Sequence, residues 1–308
     1  MIRFYKSQDG LFSTDIQGKN CWISAVSPNQ EETRYLLEEL QIPEAFYNDI
    51  ADIDERPRIE IENGWVLIIL RVPFKTNDAK LPYNTAPIGL MFKDDVFVSL
   101  CFQDCELLED FVIYTQRKKA GINDSFDLVL KLLLSSSIWF LKYLKQINLL
   151  IKAAEDNLEK SIRNEDLQQL LQIEKCLVYF ITSLKGNDVL FHRIKNLKNF
   201  KETYNPELLE DVGIELRQAE ETTNIYSNIL TGMMDAYASV ISNNLNVIMK
   251  RLTSISIILM IPTVVASFYG MNVPNNLENN SFGLWIVLAV SIAISGIGVF
   301  LFKKKNLF

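Results

Sequence analysis

Two uncharged apolar runs near the C-terminus constrain this chain more than any other feature. Residues 252–269 form an 18-residue run and residues 282–302 a 21-residue run, and neither holds a charged side chain. As helices at ~1.5 Å per residue they reach about 27 and 31 Å, close to the ~30 Å hydrocarbon core of a bilayer. A pair of buried core helices is the alternative, but two such runs in tandem are rare in soluble domains. Lys250 and Arg251 precede the first run, Lys303, Lys304 and Lys305 follow the second, and the connecting segment 270–281 has no Lys or Arg. This asymmetry predicts both termini in the cytoplasm and the connecting loop outside. The opening MIRFYKSQDG has no apolar signal-peptide core, so the large N-terminal part is expected to stay on the cytoplasmic side of the inner cell membrane.

Of the 308 residues, 31 are Lys or Arg and 38 are Asp or Glu; without the three terminal lysines and Glu278, the cytoplasmic part holds 28 and 37, a net of −9. That balance speaks against a nucleic-acid partner, which calls for a basic surface, and it is compatible with cation binding. Cys21, Cys101, Cys105 and Cys176 sit in a reducing context and are expected as free thiols. Cys101 and Cys105 are four apart, but no second pair and no nearby histidine completes a zinc site. His192, the only histidine, reads as a surface helix position rather than a ligand. With no nucleophile–base set and no phosphate-binding glycine loop, nothing points to an enzyme.

The predicted architecture is an α+β cytoplasmic domain followed by long helices. Residues 1–123 read as a mixed α/β domain, with strands at 21–26, 65–74, 88–92 and 96–102 and helices at 29–40 and 107–116. Pro82, Pro87, Gly89 and the stretch near Asn77 punctuate the strands. Residues 124–204 read as a helical hairpin. Leu128, Leu132, Ile138, Leu141, Leu144 and Ile147 give it an apolar face, and its turn lies near Asn164–Asp166. Asn205 is a good N-cap and Pro206 suits a first helical position; the next proline is Pro262. One helix is therefore expected over 206–269, about 96 Å at ~1.5 Å per residue. It comprises a stalk at 205–251 and a first span at 252–269. A loop at 270–281, a second span at 282–302 and a basic tail at 303–308 complete the chain.

Two stripes run along this helix. Leu209, Val212, Leu216, Ala219, Thr223, Tyr226, Leu230, Met233, Tyr237 and Val240 form a heptad seam. The seam is expected to pack largely on the chain's own hairpin. Asp235, Ser239, Ser242, Asn246, Met249, Leu252, Ser256, Met260, Thr263 and Ser267 form the second stripe, roughly opposite the first. It stays small or polar into the membrane, where polar groups usually face other helices or water. The alternative is that its Ser and Thr hydroxyls bond back to their own helix. A pore would need several copies, because one chain offers only two spans.

The first span ends in Tyr269-Gly270-Met271-Asn272. A long helix entering the membrane, this Gly-Met-Asn at its outer end, a short loop, a second span and a basic tail together resemble the CorA magnesium-channel family over essentially the whole chain. Arg56-Pro57-Arg58-Ile59-Glu60 before a strand resembles that family's Arg-Pro-Lys-Val-Glu segment. The resemblance implies a homopentamer with five first spans around a pore, and membrane lipid and divalent cations as the other partners. Gly270, Met271 and Asn272 would form the outer mouth. A ring of Asn272 carbonyls would hydrogen-bond hydrated Mg²⁺ without stripping waters that the ion gives up reluctantly. Gly270 would permit the turn that ends the helix, and Met271 would support packing. Asn246, Met249, Leu252, Met260 and Thr263 match the family's lining residues, with Met249, Leu252 and Met260 as an apolar constriction. Ser256 would line the pore with them, Thr263 and Ser267 would offer oxygen to hydrated ions higher up, and Asp235 would supply a carboxylate ring.

The resemblance also implies a regulatory Mg²⁺ held between subunits by Asp49 and Asp211, closing the pore when intracellular Mg²⁺ is high; the alternative is that both are solvated surface acids. Influx would be passive, driven by roughly 4.6 kcal/mol per 100 mV for two charges. Many members follow Gly-Met-Asn with Met-Pro-Glu-Leu. Here the loop reads Val-Pro-Asn-Asn-Leu-Glu-Asn-Asn, with Glu278 its only charge, so the field at the mouth is weaker. The zinc-transporting branch of the superfamily and a non-conducting membrane-anchored coiled-coil scaffold are the competing readings, and Co²⁺ and Ni²⁺ are further cargo candidates.

Overall fold

The computed structural model describes residues 1–14, 21–78, 81–160, 163–197, 205–271 and 281–304. It divides into two units, Met1–Met233 and Met234–Phe308. In the first, strands β1 (Ile2–Gln8), β2 (Gly10–Thr14), β3 (Cys21–Val26), β4 (Arg58–Glu62), β5 (Trp65–Lys75), β6 (Tyr83–Lys93) and β7 (Val96–Cys101) form one sheet. Their order is β2-β1-β3-β7-β6-β5-β4. Among the described residues only β3 and β7 pair in parallel; the other ladders are antiparallel.

Helices α1 (Gln30–Arg34, continued by a π-helical turn to Glu39) and α2 (Glu44–Ala51) connect β3 to β4. Helix α3 (Glu106–Lys118) follows β7, and α4 (Ser125–Lys160) and α5 (Asn164–Asn196) run antiparallel after it. Strand β5 reads as a nearly unbroken apolar run because both its faces are covered. Trp65, Leu67 and Ile69 bury against Phe46 and Ile50 of α2. The alternate residues Ile68, Leu70 and Val72 are also buried and face the other side, where α4 and α5 contact the strand. Full burial of Phe46 and Ile50 stabilises the α2 contact by about 1.5–3 kcal/mol each. A Cβ added to Gly89 would lie 2.0 Å from Ile50 Cδ1, so the bare glycine is what lets α2 seat on β6.

Strand β6 is longer than the expected 88–92, because Pro87 does not interrupt it. Pro87 lies opposite Arg71 of β5, beyond the last β6–β7 pair, Gly89 with Leu100. Its missing N–H therefore deprives no neighbouring strand. Strands β1, β2 and β4 and helix α2 were not expected. Two hairpins carry a signal that would have found the strands. Asn63 and Gly64 both take positive φ, at 51° and 80°, between β4 and β5, as an Asn-Gly type I′ turn requires. Asp9-Gly10 joins β1 to β2. Gly10 has φ 124°, and a Cβ there would stand 2.8 Å from Gln116 Cα.

Helix α6 (Pro206–Tyr269) has the expected bounds. Asn205 Oδ1 accepts from the Glu207 amide at 3.0 Å, capping the helix behind Pro206. In the first unit its seam residues Val212, Leu216, Ala219, Thr223 and Leu230 are all buried. A Cβ on Gly213 would lie 3.4 Å from the Phe191 ring of α5, so the chain's own hairpin does cover this part of the seam. The second unit holds the rest of α6 and helix α7 (Gly283–Lys304). Both helices are long and apolar enough to cross a membrane, and their apolar windows are only 6% buried. A soluble core helix would be covered by its own chain, and these are not.

Candidate functional site

Within the second unit, α7 covers one face of α6. Ser254 is buried, and Ile258, Ile261, Val265 and Tyr269 are partly buried, at steps of three and four. Small residues of α7 form much of the opposing face. Gly283 and Ser291 are buried, Ser295 and Gly298 partly so, and a Cβ on Gly298 would stand 3.4 Å from Ile261 Cδ1. Small side chains at such spacing let two helices approach closely in lipid.

The polar stripe lies on the other side of α6. At about 100° per residue, Leu252, Ser256, Met260, Thr263 and Ser267 point roughly 180° from the face that meets α7. All five are exposed, as are Asp235, Asn246 and Met249. Met249, Leu252 and Met260 are 51%, 56% and 64% exposed, large apolar side chains with nothing of their own chain over them.

Two hydroxyls on this stripe also bond back to the helix. Ser256 Oγ donates to Leu252 O at 2.9 Å and Thr263 Oγ1 donates to Leu259 O at 3.1 Å. The two readings of the stripe are therefore compatible. Back-bonding uses the hydroxyl proton and leaves the oxygen lone pairs free. Such a surface offers acceptors to the outward-pointing hydrogens of a hydrated cation.

At the end of α6, the Gly270 amide donates to Ala266 O at 2.9 Å and that of Met271 to Phe268 O at 3.4 Å. Gly270 does not take the left-handed conformation. Its lack of a side chain matters through proximity, since a Cβ would stand 3.3 Å from Ala266 O. Met271 is 51% exposed. Asn272 and Glu278 lie outside the described residues.

In the first unit Asp49, on α2, is not a free acid. Arg58 at the start of β4 donates to Asp49 Oδ2 at 2.5 Å and to Glu60 Oε2 at 3.0 Å, and also pairs with Glu55. Burial works against the Arg58 charge, but Glu60, Glu55 and Asp49 together raise its pKa above the ordinary arginine value. Asp211 is exposed on α6, and the structure does not bring it to Asp49 within this chain.

The Asp49 region is anchored by a residue that the sequence reading missed. Arg71 of β5 is only 8% exposed, and no carboxylate reaches it within ion-pair distance among the described residues. Its guanidinium donates to Ile53 O, Glu55 O and Thr85 O, each at 2.8 Å, and to the hydroxyls of Thr85 and Ser183. Burial lowers its pKa, and the fields of Asp54, Asp52 and Glu55 partly restore it. The arginine main chain is held as well: Asn187 of α5 accepts from Arg71 N at 2.9 Å and donates to Arg71 O at 2.7 Å. The segment between α2 and β4 is thus tied to the sheet and the hairpin together. Pro57 also packs on Gly186 of α5, where a Cβ would stand 2.8 Å from the ring.

Among the described residues no three His, Cys, Asp or Glu side chains gather as metal ligands. A mixed sheet backed by long helices, with two apolar helices that their own chain leaves largely exposed, fits the class of membrane proteins with two candidate spans. The sequence pattern of the CorA family, described as CorA-like Mg²⁺ transporter protein, matches residues 17–304, and this chain belongs to that family. The cobalt/magnesium transport protein CorA of Methanocaldococcus jannaschii is 26% identical over 290 residues, 92% of this chain and 90% of that one. The protein of the same name from Thermotoga maritima is 27% identical over 274 residues, 84% and 74% of the two chains. The solved structure of the complete M. jannaschii CorA magnesium transporter shares the fold, with a TM-score of 0.83, 24% identity, and coverage of 100% of this chain and 99% of that one.

Proposed function

We propose that this chain carries Mg²⁺, with Co²⁺ as a second cargo, down the membrane potential through a path lined by α6 helices from five copies. The supporting observation is the placement of the stripe. Met249, Leu252, Ser256, Met260, Thr263 and Ser267 share a face of α6 opposite α7 and uncovered by their own chain, and Asn246 beside them is exposed as well. Lipid is a poor neighbour for that face, whereas the same face of other copies around a common axis satisfies it. Met249, Leu252 and Met260 would narrow the path, and Ser256, Thr263 and Ser267 would offer oxygens to the ion's waters. Asp235 would add a carboxylate ring. Gly270, Met271 and Asn272 would form the outer mouth, with Asn272 as the selective group and Glu278 on the loop beside it. Both termini would lie in the cytoplasm, with soluble segments 1–123, 124–204 and 205–251 ahead of the first span.

In the same reading, a regulatory Mg²⁺ bridges Asp49 of one copy and Asp211 of the next. The Arg58 pairing sharpens this. One oxygen of Asp49 is already occupied, so the ion must use the other or displace the arginine. The experiment is Mg²⁺ uptake into proteoliposomes under an inside-negative potential, with Zn²⁺ in a parallel arm. Wild-type protein is expected to take up Mg²⁺ and Asn272→Ala to lose most of the flux. Equal flux from both would remove Asn272 from the path, and uptake of Zn²⁺ alone would overturn the assigned cargo.

A further inference from the structure

Cys101 ends β7 and Cys105 stands directly before α3, and the turn between them brings their sulfurs to 3.7 Å. Both are buried, at 0% and 3% exposure. Their backbones are held independently. Cys101 is paired with Val26 in the parallel ladder, whereas Leu107 and Leu108 bury the first turn of α3. The turn itself, Phe102 to Asp104, is partly to fully exposed and can absorb a small displacement. A cavity of about 220 Å³ adjoins Cys105, lined also by Met1, Arg3, Asp104, Leu108 and Glu109. Several water-sized molecules fit that volume, at ~30 Å³ each. The pair lies at the far end of β7 from the β6 turn.

We propose that Cys101 and Cys105 form a redox-active dithiol that closes to an intrachain disulfide when a hydroperoxide enters through this cavity. One sulfur attacks a peroxide oxygen, forming an S–O bond and breaking the O–O bond. Its proton leaves with the displaced hydroxide as the first water. The second sulfur attacks the resulting sulfenic acid, forming the S–S bond and breaking S–O, and its proton leaves with that oxygen as the second water. The peroxide is reduced and the two thiols are oxidised. The contact between the sulfurs draws the Cys101 thiol down against the opposing effect of its burial, and pushes the Cys105 thiol up, with burial adding to the rise at Cys105. The sulfurs must close from 3.7 Å to roughly 2.05 Å, a movement that side-chain rotation and the exposed turn can share.

The test uses the purified full chain in detergent. It is exposed to hydrogen peroxide, unfolded in N-ethylmaleimide, and digested without reduction for peptide mass spectrometry. The expected product is a peptide over 101–105 that is lighter by two hydrogens, carries no maleimide, and becomes doubly alkylated after dithiothreitol. Cys21 and Cys176, buried free thiols, are expected to remain alkylated throughout. Cys101→Ser and Cys105→Ser should each abolish the light peptide, and a dimedone probe should label the remaining cysteine. Doubly alkylated wild-type peptide after peroxide, or sulfinic and sulfonic products with no cross-link, would overturn the proposal. The wild-type measurement decides this even where a serine variant does not fold.

Discussion

Replacing Arg71 with methionine keeps most of the side-chain bulk and removes the guanidinium. Three carbonyls then lose their donor: Ile53 O, Glu55 O and Thr85 O, each at 2.8 Å in the native chain. Thr85 and Ser183 can still satisfy one another, since their hydroxyls already lie 2.8 Å apart. Thr85 is fully buried, whereas Ile53 is 39% exposed, so water can reach the Ile53–Glu55 segment but not Thr85 O. One buried orphan acceptor costs about 1–3 kcal/mol, and the two rehydrated ones cost less. Relief of a charge buried without a direct carboxylate partner offsets part of this. The net expectation is a loss of about 2–4 kcal/mol. Urea denaturation of the full chain in detergent, followed by tryptophan fluorescence, measures it. Hydrogen exchange at the 53–55 amides should rise in the same variant, because the tie to the sheet is gone. Arg71→Lys should fall between the two, since one ammonium cannot reach all three carbonyls. A change below about 0.5 kcal/mol with unaltered exchange at 53–55 would refute the view of Arg71 as the anchor.

Gly186→Ala sets helix propensity, which favours alanine by about 1 kcal/mol, against a clash with the rigid Pro57 ring at 2.8 Å costing about 1–3 kcal/mol. Because the ring cannot rotate away, a lower thermal midpoint is expected, whereas Gly232→Ala, with nothing within 4 Å of its added Cβ, should raise it; the reverse order would contradict the packing. Burial pushes the Glu32 carboxyl up, but the Asn29 and Ile2 amides and the N-terminal ammonium overcome it and hold it below its ordinary value. That contribution is present in full above the unfolded-state pKa and is lost as pH falls through the lower folded value. Glu32→Gln should therefore flatten the acid limb of stability against pH, and an unchanged limb would discount the cap.

The long elements were legible because their signals are local. Asn205-Pro206 and the uninterrupted apolar period marked both ends of α6, and the turn near Asn164–Asp166 marked the start of α5. The stripe could also be read, since a face of a helix is a matter of spacing alone. Strand β4 escaped because its side chains, Arg58, Glu60 and Glu62 among them, look like loop, although Asn63-Gly64 announces the turn. Arg71 was invisible for a different reason. Its partners come from positions 53, 55, 85, 183 and 187, and only the folded sheet and hairpin bring these together. Asp49 could be named as an acid, but its neutralisation by Arg58 depends on α2 and the edge strand lying side by side.

The Asn187 side chain has a wider consequence. Ahead of the first β4 pair, Arg58 with Ile69, its amide takes the place that another strand's peptide group would hold beside Arg71. A sheet margin sealed by a helix residue cannot recruit a strand from another molecule there. By giving the Arg71 peptide both an acceptor and a donor, that one side-chain amide leaves this stretch of β5 with no free backbone group to offer an incoming strand.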